Sequence, residues 1–219
     1  MNHNLHVVRH PLIDHKLHYM RDRKQPPSEF RRLLKEVGSL MALDVSASVF
    51  ETHKKTKQIE THFSLPGQAP LCQREVLDGS KIVIVPILRA GLVLADGLHE
   101  MMPFAGLGHL GLHQNSSHTE TQEYLVKLPN PTEKAFILVD PMIGTSNTAA
   151  RAIQILRICG VDDANIRFVG LLAGEGGAEK LTSDYPNVHI YVAGVDPEVN
   201  DAGRVVPGVG VISERLYGL

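Results

Sequence analysis

Asp140 stands between an apolar run, residues 136–139, and a loop of small polar residues, so that residues 136–153 read FILVDPMIGTSNTAARAI. A carboxylate at a strand end can accept bonds from sugar hydroxyls. The hydroxyls of Thr145, Ser146 and Thr148, joined by the unpaired N–H groups of a helix opening near Asn147 or Thr148, form a natural seat for an anion. The same residues also serve as a plain helix cap, since such side chains satisfy N-terminal N–H groups without any ligand. A second chemical element lies upstream. KIVIVPILRAGL puts Pro86 and Arg89 where another apolar run ends, with Gly91 allowing close backbone approach. An arginine at such an edge can fork onto phosphate or pyrophosphate oxygens, although a lone one is more often a surface ion pair.

These groups act together only if the elements carrying them end side by side. KIVIVPIL, HLGL, AFILV and IRFVGLLA, with VHIYVA as a fifth run, are short, aliphatic and suited to buried strands. Helix-like stretches separate several of them: GLVLADGLHEMM, NTAARAIQILRICG and GGAEKLTSDYP. The alternation predicts an α/β fold with a largely parallel sheet and helices on its faces, binding ligands beyond the carboxyl ends of its strands. Residues 28–43 space Phe30, Leu33, Leu34, Val37, Leu40 and Met41 along one helix face, with Ser28 as the expected N-cap. Residues 49–66 are dense in charge and read as a β-arm, punctuated by Gly67 and Pro70. Residues 194–219 hold many turn residues without helical periodicity and read as an irregular flap. The segment 113–122 is polar enough to be a mobile lid. No repeat or linker divides residues 1–219, so arm and flap are attachments to one α/β body.

Totals exclude several functions. At 219 residues, with 22 basic and 24 acidic side chains and a net charge of −2, the chain gives no electrostatic case for nucleic acid or an anionic membrane. Small molecules or other proteins are the expected partners. No apolar run approaches the roughly 18 residues of a membrane span. Cys72 and Cys159 form no CxxC pair and suit a reducing compartment, by default the cytoplasm. Twelve histidines invite a metal reading at His3, His6 and His10, or at His109 and His113, yet no third ligand accompanies the latter pair. Solvated or hydrogen-bonded imidazoles are expected instead, and no metal site. The chain lacks GxxxxGK[ST] and GxSxG, and GVGVIS at 208–213 lacks the strand-to-helix context of a dinucleotide fingerprint.

A series of landmarks, taken in order, is more specific than any single motif. HPLIDHKLHYMRD, EVGSLMAL, VPILRAGL, EYLVKLP, VDPM with its small-residue loop, YPNVHIYVAGVD and VVPGVG together resemble the uracil phosphoribosyltransferase family nearly end to end. That resemblance implies a type I phosphoribosyltransferase fold, with a parallel-sheet core, helices on both faces, a β-arm and a C-terminal hood. It implies formation of UMP and pyrophosphate from uracil and phosphoribosyl pyrophosphate, with Mg²⁺ carried by that substrate. By the resemblance, Arg89 contacts pyrophosphate, Asp140 the ribose hydroxyls, and Thr145, Ser146, Asn147 and Thr148 the 5′-phosphate. The uracil ring lies against Val205, Gly210, Val211 and Ile212, read mainly through backbone groups. A homodimer or homotetramer and a GTP effector also belong to the implied picture.

The resemblance breaks at the loops. Where the family carries Thr-Gly-Gly-Ser, this chain has Thr145, Ser146, Asn147 and Thr148; asparagine tolerates a left-handed backbone well and serine poorly. A family Tyr-Arg pair is replaced by His113 and Gln114, and Gly-Asp-Ala by Gly210, Val211 and Ile212. A charge-assisted bond is worth roughly 1.5–3 kcal/mol, so losing the arginine alone costs on the order of 10- to 100-fold. Three readings follow: a uracil transferase of weak activity, a non-catalytic nucleotide-binding or regulatory relative, and a transferase for a different base.

Overall fold

A computed structural model describes residues 3–49, 52–58, 71–114 and 121–218. The chain opens with β1 (Leu5–Val7), α1 (Pro11–Arg21) and α2 (Pro27–Val49), followed by the paired strands β2 (Thr52–Gln58) and β3 (Leu71–Leu77). Then come β4 (Ile82–Leu88), α3 (Gly91–Met101), β5 (Gly106–Leu107), β6 (His109–Gln114), β7 (Thr121–Lys127) and β8 (Ala135–Val139). The remainder is β9 (Met142–Ile143), α4 (Asn147–Ile158), β10 (Ile166–Gly174), α5 (Glu175–Asp184), β11 (His189–Asp196), β12 (Glu198–Val199), β13 (Val205–Val206) and α6 (Ile212–Tyr217). The main sheet runs β1-β11-β10-β8-β4-β6-β7, and every neighbouring pair along it is parallel except β6–β7.

Strand alternation builds two cores. Ile82, Ile84, Ile137 and Val139 face one side with α1, α2, α3 and α6, while Val83, Val85, Phe136 and Leu138 face the other with α4 and α5. The expected α/β sheet with helices on both faces is therefore present. On the first side, α2 and α3 cross at glycines. A Cβ on Gly97 would stand 2.0 Å from the Lys35 carbonyl oxygen, and one on Gly38 would stand 2.3 Å from that of Leu94. Gly97→Ala would gain about 1 kcal/mol of helix propensity but overpack a backbone crossing at about 3 kcal/mol. The clash wins, and thermal unfolding should show Tm lowered by about 4–8 °C.

Three expectations on the framework need correction, and a fourth, the lid, lies largely outside the described residues. The first long helix starts at Pro27, not at a Ser28 cap, because proline at N1 has its φ preset and needs no N–H partner; it then runs to Val49 because Val45 extends the buried stripe. The arm is a hairpin whose second strand, Leu71–Leu77, lies beyond the expected limit at 66, while residues 59–70, with Gly67 and Pro70, lie outside the described residues. Of the lid, His113 and Gln114 pair with Gln122 and Thr121 as strand, and residues 115–120 fall outside the description. The flap is not irregular. Val195 and Asp196 belong to β11, β12 and β13 form a small antiparallel pair, and Ile212 and Leu216 bury one side of α6, a helix too short to show a period.

The histidines near the N-terminus do structural work, as their polar surroundings suggest. The His10 side chain accepts from the Leu12 N–H to cap α1, and His6 Nε2 lies 2.8 Å from His189 Nδ1 across the β1–β11 pair. His6 also stacks on Tyr191, at 4.6 Å between ring centres. Among the described residues no helix is long and apolar enough to cross a membrane.

Candidate active site

A cleft of about 320 Å³ opens beyond the carboxyl ends of β4 and β8. Its size suits a small ligand. One wall is the turn from β8 into α4: Asp140, Met142, Gly144 and residues 145–149. The other is the C-terminal segment, residues 202–205 and 210–213, with Ala90 at the end of β4 between them. The sequence thus converges as the topology requires, since parallel strands deliver their following loops to one edge.

The turn is fixed from several sides. The Asp140 N–H donates to the Val169 carbonyl at 3.1 Å, and the Pro141 carbonyl accepts from Leu171 and Leu172 on β10. Behind the loop, Gly177 on α5 approaches so closely that a Cβ would stand 1.8 Å from the Gly144 oxygen. In front, Gly203 of the C-terminal segment packs on Gly144 and Thr145 in the same way. Gly91 has the close approach expected of it: its Cβ would stand 2.2 Å from the Val139 oxygen.

Ser146, not Asn147, takes the left-handed conformation, at φ 70°, and α4 begins at Asn147. A side chain there costs of order 1–2 kcal/mol against glycine. The Ser146 hydroxyl is buried without a hydrogen-bond partner, an arrangement that a ligand oxygen in the loop would satisfy. Asp140 lies at the strand end on the cleft floor. Burial pushes its carboxyl up to about 7, opposed by the backbone N–H of Met142.

Of the residues proposed from sequence, the cleft gathers Asp140, Thr145, Ser146, Asn147, Thr148, Val205, Gly210, Val211 and Ile212. Arg89 and His113 are not brought to it. Arg89 is exposed just outside, its guanidinium 5.1 Å from the centre of the Tyr217 ring, and the Tyr217 hydroxyl donates to the Arg89 carbonyl at 3.1 Å. His113 lies in β6, paired with Gln122 of β7, and is not among the residues lining the cleft; Gln114 continues the same strand, and its side chain lies outside the description. Sequence reading missed Arg204 and Ser213, which line the cleft from the flap. A search for cations among the turn residues after β11 would have found Arg204.

The hood is held by a charged latch. Asp196 is buried and takes both Arg21 nitrogens, at 2.7 and 2.8 Å, together with the Gly208 N–H at 2.8 Å; Arg21 also donates to the Gly208 carbonyl. Burial alone would raise the Asp196 carboxyl, but Arg21 and the Gly208 N–H outweigh it and hold the carboxyl below its ordinary value.

A parallel sheet of this order, with its cleft between a helix-opening loop and a C-terminal hood, defines a phosphoribosyltransferase of the type I fold. Its match to a structural relative is close: the AQ2163 protein of Aquifex aeolicus superposes with TM-score 0.86 at 28% identity, covering 98% of each chain. The family model for uracil phosphoribosyltransferase matches residues 7–219. A uracil phosphoribosyltransferase from Rhodospirillum centenum is 43% identical over 98% of this chain and 95% of its own. One from Dictyoglomus thermophilum is 41% identical over 97% and 98%. The chain belongs to the uracil phosphoribosyltransferase family.

Proposed function

We propose that the protein transfers ribose 5-phosphate from phosphoribosyl pyrophosphate to uracil, forming UMP. The bond from ribose C1′ to the pyrophosphate oxygen breaks, a bond from C1′ to uracil N1 forms, and the N1 proton leaves. The observation that carries this reading is the cleft itself: one carboxylate, Asp140, beside a helix-opening loop whose Ser146 hydroxyl lacks a partner, facing the C-terminal segment across the cleft. Residues 145–148 seat the 5′-phosphate through N–H groups and hydroxyls at the positive end of α4. Asp140 accepts from the ribose hydroxyls. Arg89, beside the cleft mouth, meets the pyrophosphate. Val205 and Gly210 present backbone groups to the base edge, and Val211 and Ile212 give its face an apolar wall.

Among the described residues no group of three or more His, Cys, Asp or Glu side chains forms a metal cage. With Asp140 as the lone carboxylate of the lining, the donor set fits Mg²⁺ held mainly by substrate oxygens. Bound there, it would neutralise charge on the departing pyrophosphate. The protein's own part is to align C1′ with N1 and exclude water around them. The same reading takes the chain as one domain, acting in the cytoplasm as a homodimer or homotetramer with GTP as effector. Sedimentation with and without GTP tests the assembly.

Radiolabelled uracil, Mg²⁺ and phosphoribosyl pyrophosphate should yield labelled UMP. No UMP at high protein concentration would remove the catalytic reading. A second reading, binding without turnover, draws on the single carboxylate of the cleft and the apolar Val211 and Ile212 beside it. Calorimetry then finds UMP bound while the assay stays blank.

A further inference from the structure

We infer that Arg204 is a phosphate-binding residue of the cleft, gripping the 5′-phosphate from the hood side opposite the α4 N-terminus. This rests on the reading of residues 145–148 as the phosphate seat. Among the described residues of the cleft lining, Arg204 is the one cation and Asp140 the one anion. A phosphate dianion therefore has one full positive charge available within the lining.

The backbone fixes where that charge stands. Gly203 packs directly on the Gly144–Thr145 turn, so closely that a Cβ on Gly203 would stand 3.1 Å from the Thr145 methyl, and the next residue therefore flanks the loop. The preceding turn is locked by Asn200, whose side-chain oxygen accepts from the N–H groups of Ala202 at 3.1 Å and Arg204 at 3.0 Å. Asn200 N–H in turn donates to the Arg204 carbonyl at 2.9 Å. Backbone bonds thus hold Arg204, while its side chain is exposed and makes no hydrogen bond or ion pair with another side chain among the described residues. The turn fixes the backbone from which the side chain reaches, and the planar guanidinium fork matches phosphate oxygens. The buried Ser146 hydroxyl, equally without a partner, lines the same end of the cleft and independently calls for a ligand oxygen there.

Calorimetry of wild type, Arg204→Gln and Arg204→Lys against UMP, uridine and inorganic pyrophosphate at fixed salt tests this. Arg204→Gln should weaken UMP about 10- to 100-fold, the range of a charge-assisted bond, with uridine changed by less than about twofold. Arg204→Lys should recover part of the loss, and all three proteins should melt together, since an exposed side chain without partners adds little stability. Unchanged UMP binding by Arg204→Gln, equal loss of UMP and uridine, or loss confined to pyrophosphate would each overturn the assignment. If that happens while wild type still forms UMP, only the role of Arg204 fails. If wild type neither binds nor forms UMP, the reading of the site fails and takes Arg204 with it.

Discussion

Asp140→Asn should lower kcat/KM for UMP formation on the order of 100- to 1,000-fold without unfolding the protein. The amide matches the carboxylate in shape, and the backbone bond from the residue 140 N–H to Val169 is untouched. What changes is the chemistry offered to the ribose. A carboxylate accepts from two hydroxyls at once; an amide accepts with one atom and opposes the second hydroxyl with a donor. Two charge-assisted bonds at roughly 1.5–3 kcal/mol each set the magnitude. Steady-state kinetics with both substrates varied is the measurement, and activity within tenfold of wild type would remove Asp140 from the ribose.

The pH profile carries a second signature of the same group. With burial pushing the carboxyl up to about 7, its anionic form falls as pH drops below that value. Wild-type kcat/KM should decline about tenfold per pH unit below about 7, and the residual rate of Asp140→Asn should lack that limb. Stability runs the opposite way. The folded value lies above the ordinary 3.8, so the native state holds the proton longer, and wild type loses stability as pH rises from about 4 to about 7. Asp140→Asn escapes that loss and should melt higher than wild type at pH 8.

Asp196→Ala should destabilise the fold by about 3–5 kcal/mol, because it strands Arg21 and the Gly208 N–H beside a cavity. For a chain of this length that lowers Tm on the order of 10 °C. The loss should also reach the cleft. Gly208 is held by the latch, and Gly210, two residues on, lines the cleft, so KM for uracil should rise more than KM for phosphoribosyl pyrophosphate. An equal rise in both would detach the latch from the base end. The linkage here is ordinary: the carboxyl is held below its usual value, so its contribution is present above about pH 4 and fades as pH falls through the lower folded value.

The sheet and its helices were legible because aliphatic alternation and glycine-closed helices report directly on burial, as Ile82–Val85 and Phe136–Val139 do on the two cores. Asp140 and residues 145–148 were legible for a related reason, since a strand followed by small polar residues and a helix specifies one geometry. Arg204 was not. Its place depends on Gly203 touching a loop far earlier in the chain, and no local pattern encodes such a contact. His113 and Gln114 were singled out only because the resemblance places a Tyr-Arg pair there; the structure sets both in β6, paired with β7. Propensity assigns the left-handed residue to asparagine, yet the chain path through the turn puts that demand on Ser146.

The union of β1 with β11 has a kinetic meaning. Asn4, wholly buried, sends its side-chain amide to the carbonyls of Thr182, Tyr185 and Val188, the last 184 positions away. Closing so long a loop carries an entropic cost that neighbouring contacts do not. During refolding, amide hydrogens in β4, β8 and β10 should gain protection from exchange first, and the edge strand should dock afterwards, drawing α1 and Arg21 into place behind it. Asp196 then waits on the opposite end of the sequence for its partner, so ligand capture should lag behind the return of secondary structure.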